Sequence, residues 1–202
     1  TRTVWHPIPA LYNLDLATGL ATKLVEEAVD GCWSPDGRYF VYSYQGTTLT
    51  EPTPSPFTST SQCTWGVNLL DTQTGEKKTL VMWAYSPTFT PDGNYIIYSS
   101  QSSNTTGEFV SYGLDGNLYR IPVTGGTPEQ ITFCSHSTEC RYPTDPMVSP
   151  NGEWLLFTGG FQEATGWTQG LCVMNMKTGG YFKAFPRADM CNLKAKWSPD
   201  GK

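Results

Sequence analysis

The chain is poor in charge and nearly devoid of histidine. Of its 202 residues 15% are charged, and His6 and His136 are the only imidazoles, far apart in sequence. A metal centre built on several histidines is out of reach. The six cysteines (Cys32, Cys63, Cys134, Cys140, Cys172, Cys191) contain no C-x-x-C pair, which removes the usual zinc spacing. No metal and no cofactor is expected. A basic cluster is missing, and a net charge of −5 at pH 7 opposes a nucleic-acid surface. No apolar run approaches the roughly 18 residues of a membrane-crossing helix. Nucleophile-elbow, P-loop and G-x-G-x-x-G motifs are all absent, so hydrolase and nucleotide chemistry have no recognisable carrier. Any two loop acids can converge into a glycosidase pair, but acids are few here and mostly sit in turns. Asp36, Asp92 and Asp200, with Asp15 and Asp71, are explained by Asx-type hydrogen bonding to turn backbone. No catalytic residue is expected, and the chain is read as non-enzymatic.

What is present is turn chemistry and strand formers. Glycine (20), proline (15) and aromatics (13%) suit an all-β protein with many tight turns. The sequence Trp33-Ser34-Pro35-Asp36-Gly37 leads into the apolar run Tyr39-Phe40-Val41-Tyr42. Pro35 presets φ, Asp36 tolerates the third turn position, and Gly37 takes the place where positive φ is cheap. The device returns at Phe89-Thr90-Pro91-Asp92-Gly93, at Val148-Ser149-Pro150-Asn151-Gly152 and at Trp197-Ser198-Pro199-Asp200-Gly201. The turn glycines are 56, 59 and 49 residues apart. A second mark falls between them, closing on Thr18-Gly19, Thr74-Gly75, Thr124-Gly125 and Thr178-Gly179. The repeating unit is therefore strand, SPDG turn, strand, variable loop, strand, TG turn, strand. Four antiparallel strands in roughly 50 residues make a propeller blade.

On these motifs the chain resembles the TolB-type, WD-like β-propeller repeat, whose mark is an SPDG turn followed by an apolar strand. The resemblance covers nearly the whole chain and implies fold rather than activity, because such propellers serve both as binding modules and as parts of enzymes. The expected fold is all-β, a single propeller domain over 1–202 with about four blades. Blade 1 spans 31–86, blade 2 spans 87–145 and blade 3 spans 146–194. A closing blade is shared between 195–202 and 1–30, with its second, third and fourth strands expected at Thr1–Trp5, Leu11–Asp15 and Leu20–Val25. Inner strands are expected at Gly31–Ser34, Thr88–Thr90, Met147–Ser149 and Ala195–Ser198, with Trp33, Phe89 and Trp197 packing between blades. The split blade can close within one chain, or it can receive its inner strand from a neighbouring copy, which builds filaments when the rotation does not close. The chain can also be a piece of a larger propeller.

The remaining signals concern the cysteines and loops. An even cysteine set in a Ser/Thr-rich chain points to an oxidising compartment and to disulfides, and so to an extracellular or periplasmic, secreted protein; the alternative is that several are buried free thiols acting as small apolar residues. Cys134 and Cys140 are close enough in sequence to staple the connection between blades 2 and 3. Cys32 and Cys191 are positioned to lock first blade to last, and Cys63 and Cys172 have no assigned partner. Thr53, Ser55, Thr58, Ser59 and Thr60 lie in a Thr/Ser/Pro-rich loop of the kind that carries O-glycans. Asn104 heads an Asn-Thr-Thr sequon. His136, between two cysteines and near Glu139 and Arg141, is the best single ligand-contact candidate, though an ordinary loop histidine would look the same. Trp83 and Trp167 are candidates for sugar stacking. The expected function is macromolecular binding or assembly, with a protein partner or copies of itself and with glycan as a possible addition. The alternatives are a filament subunit joined through the split blade and a non-catalytic propeller of a larger peptidase or polysaccharide-degrading enzyme.

Overall fold

The computed structural model describes residues 9–49, 61–100, 116–134, 140–164, 166–185 and 195–201. These hold fourteen strands. β1 (Ala10–Leu14) and β2 (Ala21–Glu26) form a two-stranded sheet. β3 (Ala28–Trp33), β4 (Tyr39–Leu49), β5 (Ser61–Asp71) and β6 (Lys77–Met82) form the first four-stranded sheet. β7 (Ala84–Phe89), β8 (Tyr95–Ser100), β9 (Asn117–Pro122) and β10 (Glu129–Gln130) form the second. β11 (Arg141–Val148), β12 (Trp154–Glu163), β13 (Gly166–Asn175) and β14 (Tyr181–Phe185) form the third. Each sheet runs in chain order from inner to outer strand, and every pairing is antiparallel. This is an all-β propeller, and no helix occurs among the described residues.

The turns form as their residues require. Gly37 has φ of 71° and donates its N–H to Ser34 O at 2.9 Å. Ser34 Oγ donates to Asp36 Oδ1 at 2.5 Å and accepts from Tyr39 N–H at 2.8 Å. The Thr90–Tyr95 and Ser149–Trp154 turns repeat this lattice, with Asn151 accepting in place of aspartate. In the TG turns Asp15 and Asp71 accept from the backbone N–H groups two and three residues on. The hydrogen bond from Ser34 and then that from Arg38 N–H hold the Asp36 carboxyl below its usual range. Asp71 is lowered first by Arg38, whose guanidinium lies 2.6 Å away.

The cores lie between sheets. Val25 and Ala28 meet Phe40, Tyr42 and Leu70 where β1–β2 cover the first blade. Val41, Val67 and Leu69 meet Ile96, Tyr98 and Ile121 between blades 1 and 2. Ile97 and Leu118 meet Leu155, Phe157 and Met174 between blades 2 and 3. Adjacent residues on one strand thus serve opposite interfaces, as the two-residue strand period demands. At the turn end the blades mesh: a methyl group on Gly93 would lie 3.6 Å from Pro35, and one on Gly201 would lie 3.6 Å from Pro150. At Gly152 it would meet nothing within 4 Å. A cavity of about 510 Å³ opens there, between Thr90, Tyr95 and Arg120 of blade 2 and Val148 and Met176 of blade 3.

Two expectations need correction. Ala195–Ser198 carries no strand. An inner strand pairs only with the second strand of its blade, and the residues expected to supply that partner, Thr1–Trp5, lie outside the described residues. The segment instead leans on blade 3, where the Trp197 indole N–H donates to Met147 O at 2.9 Å. Trp33, expected in the core, is 40% exposed, because β1–β2 cover Phe40 and Tyr42 but not the ring beside them. Phe89 is buried as expected. The first sheet begins at Ala28 and the second ends at Gln130.

Candidate site at the channel end

The inner strand of each complete blade is interrupted at one register. Pairing slips between Ala28 and Asp30 in β3, between Tyr85 and Thr88 in β7, and between Thr144 and Met147 in β11. Counting four residues back from Ser34, Thr90 and Ser149 gives Asp30, Ser86 and Asp145. Ser86 and Asp145 have φ of 50° and 52°. Three residues earlier in each copy, Glu27, Trp83 and Tyr142 have φ of 54°, 58° and 51°. A non-glycine residue in this region costs on the order of 1 kcal/mol or more, and its recurrence marks it as a property of the repeat.

The slipped residues meet. Ser86 Oγ lies 3.3 Å from Asp30 Oδ2 and 3.1 Å from Asp145 Oδ1, so one side chain touches two others from two further blades. Inner strands of three blades can come this close only along the propeller axis. Ser43 Oγ, fully buried in β4, accepts from Ser86 N–H at 2.9 Å and braces the bulge. The cluster is short of donors. The Ser86 hydroxyl has one proton for two carboxylates. Thr144 Oγ1 donates to Asp145 Oδ2 at 3.1 Å, while Asp30 Oδ1 is buried with no partner among the described residues. Asp145 is exposed. In sequence the fourth repeat has Lys194 at this position, outside the described residues.

The same end of the wheel carries the projecting hairpins. β3 stops pairing at Ala28↔Tyr44, yet β4–β5 continue to Leu49↔Ser61. β11 stops at Arg141↔Gly160, and β12–β13 continue to Glu163↔Gly166. Val29 and Tyr142 are exposed near the cluster, and Tyr85, next to Ser86, meets Trp65 edge to face at 6.4 Å.

The sequence candidates fall elsewhere. His136, Asn104, Thr53, Ser55, Thr58, Ser59, Thr60 and Cys191 lie outside the described residues. Cys32 is a free thiol directed at Pro87 O, 3.8 Å away. Cys134 and Cys140 are buried free thiols rather than the expected disulfide, although they are hydrogen-bonded neighbours, so proximity is met and the covalent bond is not. Trp83 is half-buried, and its backbone N–H donates to Trp65 O at 2.6 Å. Among the described residues no three His, Cys, Asp or Glu side chains are placed to hold a metal.

Known structures share this arrangement of blades. TolB from Acinetobacter baumannii superposes with a TM-score of 0.66 at 18% identity, over 97% of this chain and 42% of that one. The fold is a TolB-like β-propeller. Oligogalacturonate lyase from Vibrio parahaemolyticus matches with a TM-score of 0.62 at 16% identity, over 95% of this chain and 51% of that one. The tricorn protease matches at 0.59 and 14% identity, over 96% and 22%. This chain thus spans about half or less of the length of these three relatives. No family model matches the sequence, and no curated protein sequence matches it. Among the described residues no helix is long and apolar enough to cross a membrane.

Proposed function

We propose that this propeller is a non-enzymatic binding module of an extracellular or periplasmic protein. It takes a segment of a partner protein at the channel end that carries Asp30, Ser86 and Asp145. The observation that carries this reading is the donor deficit of that cluster among the described residues, two carboxylates around one hydroxyl with Asp30 Oδ1 buried and unmatched. A Lys or Arg side chain supplies what is missing, and the bulged inner strands hold the acceptors in place beforehand. The test is panning of a displayed random-peptide library on the wild-type chain, then on Asp30→Asn and Asp145→Asn. Enrichment of Lys/Arg peptides that lose tenfold or more in affinity on Asp145→Asn supports the reading. Equal affinity for all three proteins overturns it. Lys194→Ala reports whether the chain's own lysine competes: peptide affinity then rises while dependence on Asp145 stays.

Two further readings have specific support. The closing blade has only β1 and β2 among the described residues, and Ala195–Ser198 forms no strand there, which leaves its inner strand to be supplied by a second copy. Light scattering over a concentration series, with electron microscopy of the same sample, decides it: a monomer throughout removes the filament. The named activities of the lyase and the protease suit a non-catalytic propeller within a larger enzyme. A native polypeptide whose intact mass is far above that of 202 residues, with a hydrolase or lyase domain in the excess, supports that reading.

A further inference from the structure

Between blades 2 and 3 three cysteines meet: Cys134 and Cys140, six residues apart in the chain, and Cys172 from a later strand. Cys134 follows β10, Cys140 precedes β11, and Cys172 is in β13, opposite Phe157. All three are fully buried within one apolar cluster with Phe157 and Phe161. Gly159 provides the floor. A methyl group there would lie 2.7 Å from Cys140 Sγ and 3.5 Å from Cys172 Sγ, so both sulfurs rest over one bare Cα. On the other side Cys134 is held by its backbone N–H, which donates to the buried Asn117 Oδ1 at 2.8 Å. Cys140 is hydrogen-bonded to both other thiols and is the middle of the row. The three sulfurs are not placed for a metal ion, and an apolar pocket holds sulfur in its neutral forms, thiol or disulfide.

We infer that Cys134, Cys140 and Cys172 form a thiol–disulfide exchange triad in which Cys140 is a partner in every bond. A small disulfide, RS–SR, is the oxidant. The Cys140 thiolate attacks one of its sulfurs and releases RSH, leaving a mixed disulfide. The thiolate of Cys134 or Cys172 then attacks the Cys140 sulfur, releasing the second RSH. Two protein thiols are oxidised, RS–SR is reduced to two RSH, and one triad thiol is left over. That thiol can attack Cys140 in turn and move the bond between Cys134–Cys140 and Cys140–Cys172. Hydrogen bonding to Cys134 pulls the Cys140 thiol down, but the neighbouring Cys172 and burial outweigh it and leave it at about 12. Reaction therefore waits on loosening of the blade 2–3 joint and is faster in sub-denaturing urea.

The test oxidises the full chain with oxidised glutathione, in sub-denaturing urea and by refolding. Free thiols are then blocked and linked peptides mapped by mass spectrometry. Cys134–Cys140 or Cys140–Cys172 links, with one triad thiol alkylated, support the triad. A Cys134–Cys172 link, links only to cysteines outside the triad, or no triad link after refolding in the oxidant overturns it. Cys172→Ser is expected to give only Cys134–Cys140, Cys134→Ser only Cys140–Cys172, and Cys140→Ser neither. Any single variant that leaves Cys140 unlinked beside a remaining partner overturns the shared role. Should the serine variants fail to fold, alanine replaces serine, and the wild-type map decides by itself.

Discussion

Gly31 and Gly75 are both required, for different reasons. A methyl group on Gly31 would lie 2.5 Å from Val41 O and 2.8 Å from the Phe40 ring, and a backbone carbonyl in a ladder cannot step aside. Gly75 has open space around it but a φ of 76°. We expect Gly31→Ala to cost about 2–3 kcal/mol through overpacking and Gly75→Ala about 1 kcal/mol through its backbone conformation alone. Urea unfolding of the two variants against wild type measures both. An equal cost would remove the distinction. Gly75 was legible in the sequence, because Asp71-Thr72-Gln73-Thr74-Gly75 has a local signature. Gly31 was not, since its constraint comes from a ring across the ladder.

At the level of strands, equivalent positions of two blades give opposite forecasts. Ser43 in β4 and Ser99 in β8 stand at the same place, six residues past Gly37 and Gly93, and both are fully buried. Ser43 Oγ accepts from Ser86 N–H, whereas Ser99 Oγ has no partner among the described residues. Ser43→Ala strands a buried N–H and is expected to destabilise by about 1–3 kcal/mol. Ser99→Ala removes an unsatisfied hydroxyl and should be neutral or stabilising by up to about 1 kcal/mol. Denaturant titration of the pair checks the sign of each. The strand order and both turn families could be read from the chain because they rest on neighbours in sequence. The site could not. Asp30, Ser86 and Asp145 share only their distance from a turn, and the pairing slip that turns them to the axis leaves no mark in the alternation of Ala28–Trp33. For the same reason Cys172 had no visible partner: its contact with Cys140 exists only once β12 and β13 are paired and Gly159 lies beneath them.

For the molecule as a whole, acid is the sensitive condition. Asp15, Asp36, Asp71 and Asp92 are all held below their ordinary value of 3.8 by turn hydrogen bonds or by Arg38. A carboxyl depressed in the folded state adds stability that is complete above its unfolded value and is lost as pH falls through its folded one. The urea midpoint should therefore be flat on the acidic side of neutrality until about pH 5 and decline below about pH 4. Asp71→Asn should shallow that decline. A midpoint unchanged from pH 5 to pH 3 would show that the turns carry no such linkage. The wheel is also uneven in a way that turn spacing alone would not suggest. Pro35 seats Gly93 and Pro150 seats Gly201, but the joint between blades 2 and 3 has no such tooth at Gly152 and holds a cavity of about 510 Å³, against about 280 Å³ between blades 1 and 2. In mechanical terms this is a seam. Of the two joints between complete blades, a force that spreads the wheel would part this one first, and among the described residues the sulfur row buried in it is the one place where a covalent rivet could close it.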